Sequence, residues 1–161
     1  MKKILIICSF LFILAAIAVT APENTASTSE HKVISPSDLQ WGDAPPSLPP
    51  GAKMAVLDGD PTKPGPFTVR MKSPAGYRVP PHTHPTTERV TVISGSFRIG
   101  MGDKLDEANA PELGPGSFVV MPAGMKHFAM ASAESIIQIN SEGPFQINYV
   151  NPADDPRNAK K

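Results

Sequence analysis

Nineteen prolines and 12 glycines interrupt this 161-residue chain at short intervals, and no other feature limits its folding so strongly. Proline has no amide to donate inside a helix, and its ring collides with the preceding turn, so a helical bundle cannot be built across breaks this frequent. Between the breaks lie short runs rich in Val, Ile, Phe and Met, at residues 54–57, 67–72, 89–93, 96–100, 117–121, 127–131, 135–140 and 145–150. Runs of that length read as strands when turn residues bound them. The separators here, Asp58-Gly59-Asp60-Pro61, Ser94-Gly95, Pro122-Ala123-Gly124 and Gly143-Pro144, have that chemistry. The spacing predicts an all-β sandwich or barrel. The length suits one domain with a real core and is short for two.

The flanks read differently. Lys2 and Lys3 precede an apolar run over residues 4–19, and small polar residues follow, which is the layout of a secretory signal peptide. The run is shorter than the roughly 20 residues of a spanning helix. Residues 1–18 are therefore expected to be removed and the protein exported, to a periplasm or the exterior, with no stable membrane anchor after cleavage. Cys8, the single cysteine, lies in that run, so the mature chain has no thiol and any metal must be held by nitrogen and oxygen. Residues 19–50 read as a polar linker and a proline-rich arm. Within them Ser35-Pro36-Ser37-Asp38 has the cap and proline of a short helix start. Residues 41–51 are too rich in proline for a ladder and predict an extended arm over the domain, with Trp41 as its anchor. The β-domain is expected over 51–151 and a disordered tail over 152–161. Residues 100–116 are acidic but lack the alternating oxygen ligands of a calcium loop, so a solvated loop with a short helix is expected. Fifteen basic and 15 acidic residues cancel, and without a basic stripe nucleic acid is excluded as a partner.

The stretch "GYRVPPHTHPTTERVTVISG", residues 76–95, carries the chemistry. On a strand, side chains two apart share a face, so His82 and His84 point the same way with α-carbons roughly 6.6 Å apart. Glu88 would be roughly 13 Å beyond His84 in extended chain, so a common site requires a bend at Pro85-Thr86-Thr87. His127 follows the Pro-Ala-Gly reversal of "MPAGMK" and would project inward at the start of a new strand. His31, the fourth histidine, has no such setting.

These residues resemble the two sequence motifs of the cupin superfamily. The first motif is Gly, five residues, His, one residue, His, three residues, Glu, six residues, Gly, and Gly76, His82, His84, Glu88 and Gly95 match it without a gap. The second is Gly, five residues, Pro, one residue, Gly, two residues, His, three residues, Asn; Gly116, Pro122, Gly124 and His127 match, and Ala131 replaces the Asn. The resemblance covers residues 76–131. It implies a double-stranded β-helix of the jelly-roll type, with His82, His84, Glu88 and His127 binding one divalent metal ion.

Such a ligand set accepts Fe, Mn, Ni, Cu, Co or Zn. The resemblance implies a metal-dependent enzyme acting on a small organic molecule, with dioxygenase cupins as precedent. The alternative is a non-catalytic binding or sensing module with a structural metal, since one fold hosts many functions. Catalytic residues beyond the metal ligands stay unassigned, no further cofactor-binding residues stand out, and a homodimer is left open. Phe97, Phe118, Met121, Met130, Ile137 and Ile139 would suit an apolar pocket, and alternation places Arg70 and Arg89 outside.

Overall fold

Alternation along the strands dictates the architecture, because each buries one face and leaves the other in water. The computed structural model describes residues 31–159; the expected leader and its cleavage site lie outside them. Among the described residues eleven strands form: β1 (Gly42–Asp43), β2 (Lys53–Asp58), β3 (Gly65–Ser73), β4 (Arg78–Thr83), β5 (Glu88–Ser94), β6 (Phe97–Met101), β7 (Glu112–Leu113), β8 (Phe118–Met121), β9 (His127–Ala131), β10 (Ser135–Gly143) and β11 (Asn148–Tyr149). They make two sheets, ordered β1-β2-β3-β10-β5-β8 and β11-β4-β9-β6-β7. All pairings are antiparallel. From β3 onward the chain steps from one sheet to the other at nearly every connection, with the short β7 the exception. That winding is the double-stranded β-helix.

The core lies between the sheets. Phe67, Val69 and Met71 of β3, Val90 and Val92 of β5, and Ile137 and Ile139 of β10 face Val79 of β4, Phe97 and Ile99 of β6 and Ala129 and Ala131 of β9. Burying one such large side chain contributes about 1.5–3 kcal/mol. Strand β9 is buried on both faces. On its outer face the Phe128 ring lies across its register partner Gly100, where any added Cβ would strike the ring. Glycine there is a packing requirement.

Pro80 and Pro81 fall inside β4, where the register against β9 shifts between Val79 and His82. A bulge tolerates residues with no amide to give to a ladder. The expected strand over 145–150 shrinks to Asn148–Tyr149, and Phe145 instead donates its amide to the Pro61 carbonyl at 2.7 Å.

The short helix start is a single 3-10 turn at Pro36–Asp38, with the Asp38 carboxylate accepting from the Ser35 amide at 3.0 Å. The arm differs in part from expectation. Gly42 and Asp43, ahead of its prolines, do enter a ladder with β2. Ala44 and Leu48 pack on the core, and the hydroxyls of Tyr77 and Tyr149 donate to the Pro49 and Ser47 carbonyls, each at 2.8 Å. These contacts secure the arm, and Trp41 is only partly buried. The loop after β6 holds a single 3-10 turn, Glu107–Asn109, capped by Asp106.

The tail is a correction. Residues 152–158, expected to be disordered, form two 3-10 turns, Pro152–Asp154 and Pro156–Asn158. Asn151 and Asp155 side chains cap them, and Arg157 ties the second to the Ile147 carbonyl at 3.1 Å. Polar composition and charge resemble those of a free tail, but each Pro sits just after a capping side chain, which favours a turn.

Candidate metal centre

The four singled-out side chains meet at one end of the barrel interior. His82, on β4, is the register partner of His127, the first residue of β9. His84 lies one residue past the end of β4, and Glu88 opens β5. The bend expected between them exists and is held against β10. Thr86 donates its hydroxyl to the Glu142 carbonyl at 2.9 Å, and the Ser141 hydroxyl donates to the Thr87 carbonyl at 2.9 Å. The Gly124 amide donates to the His84 carbonyl at 2.9 Å, so the turn before β9 is joined directly to the His-rich segment. Gly124 has φ +76°, a left-handed conformation that glycine adopts without cost.

Each imidazole is oriented by a backbone carbonyl. Nδ1 of His82 contacts the Pro80 carbonyl at 2.7 Å, that of His84 the Gln146 carbonyl at 2.7 Å, and that of His127 the Met125 carbonyl at 3.0 Å. A carbonyl only accepts, so Nδ1 is the donor in all three rings, and in the neutral imidazole Nε2 then carries the lone pair. One nitrogen from each ring lies within 4.8 Å of the others, an arrangement that could hold a metal ion. Glu88 Oε2 stands 3.4 Å from His84 Nε2 and 3.3 Å from His127 Nε2. Where those rings are neutral, lone pairs face lone pairs across the site, and a cation between them removes the conflict.

All four groups are nearly inaccessible, between 2% and 6% exposed. Burial, with the His127 and His84 imidazoles beside it, pushes His82 down to about 3, so this ring stays an unprotonated base across the physiological range. Burial pushes the Glu88 carboxyl up, but the contacts from His127 and His84 outweigh it and hold the group down at about 2. The site therefore keeps a buried carboxylate beside the unprotonated His82 ring. His84 Nε2 has no hydrogen-bond partner despite its burial. An orphaned nitrogen of this kind costs stability unless something binds it.

The cavity beside the cluster is lined by Phe97, Met121, Ile137 and Ile139, as anticipated, together with Met71, Val90 and Ile99. Phe118 and Met130 are corrections. Each has the wrong parity on its strand: Phe118 is 59% exposed on the outer face of β8, and Met130 is buried on the outer side of β9 beside Tyr77 and Arg78. Arg70 and Arg89 do lie outside, Arg70 donating to Gln138 at 3.2 Å. Sequence reasoning read residues 145–150 as a strand but missed what residues 145–149 bring to the site. They supply the Gln146 carbonyl, Phe145 stacked on His84 with ring centroids 4.2 Å apart, and Tyr149 as register partner of His82. No local pattern marks a carbonyl as an imidazole's acceptor 62 residues away.

Two sheets wound as a double-stranded β-helix, with a three-histidine cluster at one end, define a cupin. Solved structures agree on the fold. An RmlC-like cupin from Shewanella frigidimarina superposes with a TM-score of 0.55 at 18% identity, covering 70% or more of both chains (71% of this one, 91% of the other). A candidate acetylacetone dioxygenase from Methylibium petroleiphilum superposes with a TM-score of 0.61 at 17% identity, over 81% of this chain and 88% of its own. Germin-like protein subfamily 1 member 1 of Arabidopsis thaliana is 35% identical over 72 residues, 41% of this chain and 33% of that protein. The chain thus spans about a third of the length of the curated relatives it matches. Within the cupin superfamily, the model of a family described as a domain of unknown function, DUF4437, matches residues 32–161, and the chain belongs to that family.

Proposed function

We propose that this chain is an exported metal-dependent cupin enzyme that acts on a small organic molecule, with His82, His84, Glu88 and His127 as the ligands of one divalent ion. The orphaned, fully buried Nε2 of His84, aimed at the Glu88 carboxylate, carries the reading. Three imidazoles and a carboxylate are the donor set that Fe, Mn, Ni, Cu, Co and Zn accept. Bound there, the ion would supply Lewis acidity and, if redox-active, a route to dioxygen chemistry.

The chain's own groups do the remaining work. The three carbonyls that hold Nδ1 fix each ring and favour the tautomer with a free Nε2. Phe97, Ile99, Met121 and Ile137 keep bulk water away and offer an apolar surface to an organic ligand. The candidate acetylacetone dioxygenase is named for a β-diketone, a chelating molecule, which supports the oxidative direction of the proposal. Export rests on Lys2, Lys3 and the apolar run at residues 4–19, and mass spectrometry of the mature protein tests it.

Substitution of cobalt(II) tests the centre. Azide or acetylacetone is expected to move the visible bands saturably, and His84→Ala to abolish the response. Anaerobic loading with ferrous iron, followed by a β-diketone screen for substrate-dependent dioxygen uptake, is then expected to find turnover. Bands that no ligand moves would favour a structural ion and the non-catalytic reading.

A further inference from the structure

The metal-centre cavity holds about 50 Å³, room for a few water molecules only. Small-molecule sites run to about 300 Å³ and above, so an organic ligand needs space from elsewhere. A second cavity of about 150 Å³ lies alongside and shares Leu48, Met71, Ile139, Phe145 and Ile147 with the first. Its own walls include Met54, Phe67 and Val69; Ser47 and Thr62 are its polar side chains, and none is charged. This cavity is partly open to solvent at Thr62, and its mostly apolar lining favours a hydrocarbon group over water.

Phe145 is one of the residues shared by the two cavities. Its ring stacks on His84 at 4.2 Å and 16°, and meets Phe67 edge-on at 5.2 Å and 64°. The ring is only partly buried and belongs to no strand, so a rotation about its side-chain bonds can connect the two cavities without breaking a ladder. Leu48 and the proline-rich arm form the roof, held by the Tyr77 and Tyr149 hydroxyls.

We propose that the molecule handled at the metal centre carries an uncharged apolar tail, the size of an aromatic ring or a short alkyl chain, that lodges in this second chamber past Phe145. The inference rests on the metal-centre reading above and names the ligand class that reading left open. Alkyl hydroxamates of rising chain length test it, titrated into the cobalt-loaded full chain and read by the visible bands. Affinity is expected to rise about fourfold per methylene over the first few carbons and then level off. Benzene is expected to compete with the long hydroxamates but not with acetohydroxamate. Val69→Phe fills the chamber from β3 and should flatten the chain-length series while acetohydroxamate still binds; Val69→Leu, a gentler filling, should flatten it in part. Equal affinity across the series with responsive cobalt bands overturns the chamber and leaves the metal centre standing. So does an unchanged series in a folded Val69→Phe protein. Failure of the chain to take up cobalt, or of every hydroxamate to move the bands, overturns both.

Discussion

His82 and His127 face each other across the β4–β9 ladder with ring centroids 4.3 Å apart, although 45 residues separate them in sequence. Antiparallel pairing brings them there, and the bulge at Pro80 and Pro81 sets which face they share. Disturbing either ring should therefore disturb the whole centre.

His82→Ala or His127→Ala is expected to strip a bound ion, and Glu88→Gln to weaken it. The change of an outer-shell partner alone typically costs about 10–100-fold in metal affinity, so loss of a proposed ligand should exceed that. Metal content per chain, measured by elemental analysis alongside a circular dichroism check of folding, reads the result.

Chelation is expected to destabilise the folded chain. An ion bound at a hundredfold excess over its Kd contributes about 2.7 kcal/mol, and most of that should disappear on dialysis against a chelator and return with the metal. The His84→Ala protein should show no such recovery. Thermal unfolding with and without added metal makes the measurement.

Alkaline pH should loosen the arm. Burial, with the Asp155 charge adding to it, raises Tyr149 to about 12, and burial also raises Tyr77. Both hydroxyls are donors to arm carbonyls, and ionisation removes the donated proton. The folded values lie above the unfolded value of about 10, so this contribution is complete below pH 10 and is lost as pH rises toward 12. The chain has only two tyrosines, so tyrosinate absorbance reads these groups alone. It should rise later than in the unfolded chain and together with loss of structure.

Two glycines with similar backbones should respond differently. Gly95 has φ +85° and an added Cβ would strike the Glu134 carbonyl and Ser135, whereas Gly124 has φ +76° and open space around it. Alanine in a left-handed conformation costs about 1–2 kcal/mol, which is the expected loss for Gly124→Ala. Gly95→Ala should lose at least ~1 kcal/mol more, from forced displacement of packed backbone. Urea unfolding of the two variants decides this.

Opposite faces of β8 should behave oppositely. Phe118→Ser, on the exposed face, is expected to change stability by no more than about 0.5 kcal/mol. Met121→Ala, at 1% exposure, should cost about 2–5 kcal/mol through the cavity it leaves. Equal effects would mean the strand is set in the wrong register.

By itself, the sequence determined most of the long strands, though not β4, and the candidate cluster. Breaker spacing excludes a helical bundle, and period-two runs located most of the long strands to within a residue or two, because turn chemistry and face alternation are local properties. The His-x-His pair and the necessary bend before Glu88 are local for the same reason. Tertiary structure alone decided the rest. Leu48, rather than Trp41, packs on the core because the ladder of Gly42 and Asp43 with β2 sets where the arm runs. Phe145 and the Gln146 carbonyl reach His84 because the chain after β10 returns over the mouth of the barrel. Ala131 occupies the position of the family's Asn opposite Phe97, where 1% exposure in an apolar cluster favours a methyl group over an amide. Each of these contacts joins segments far apart in the chain. Their energies depend on which surfaces the folded sheets bring together, and no short window of sequence contains that.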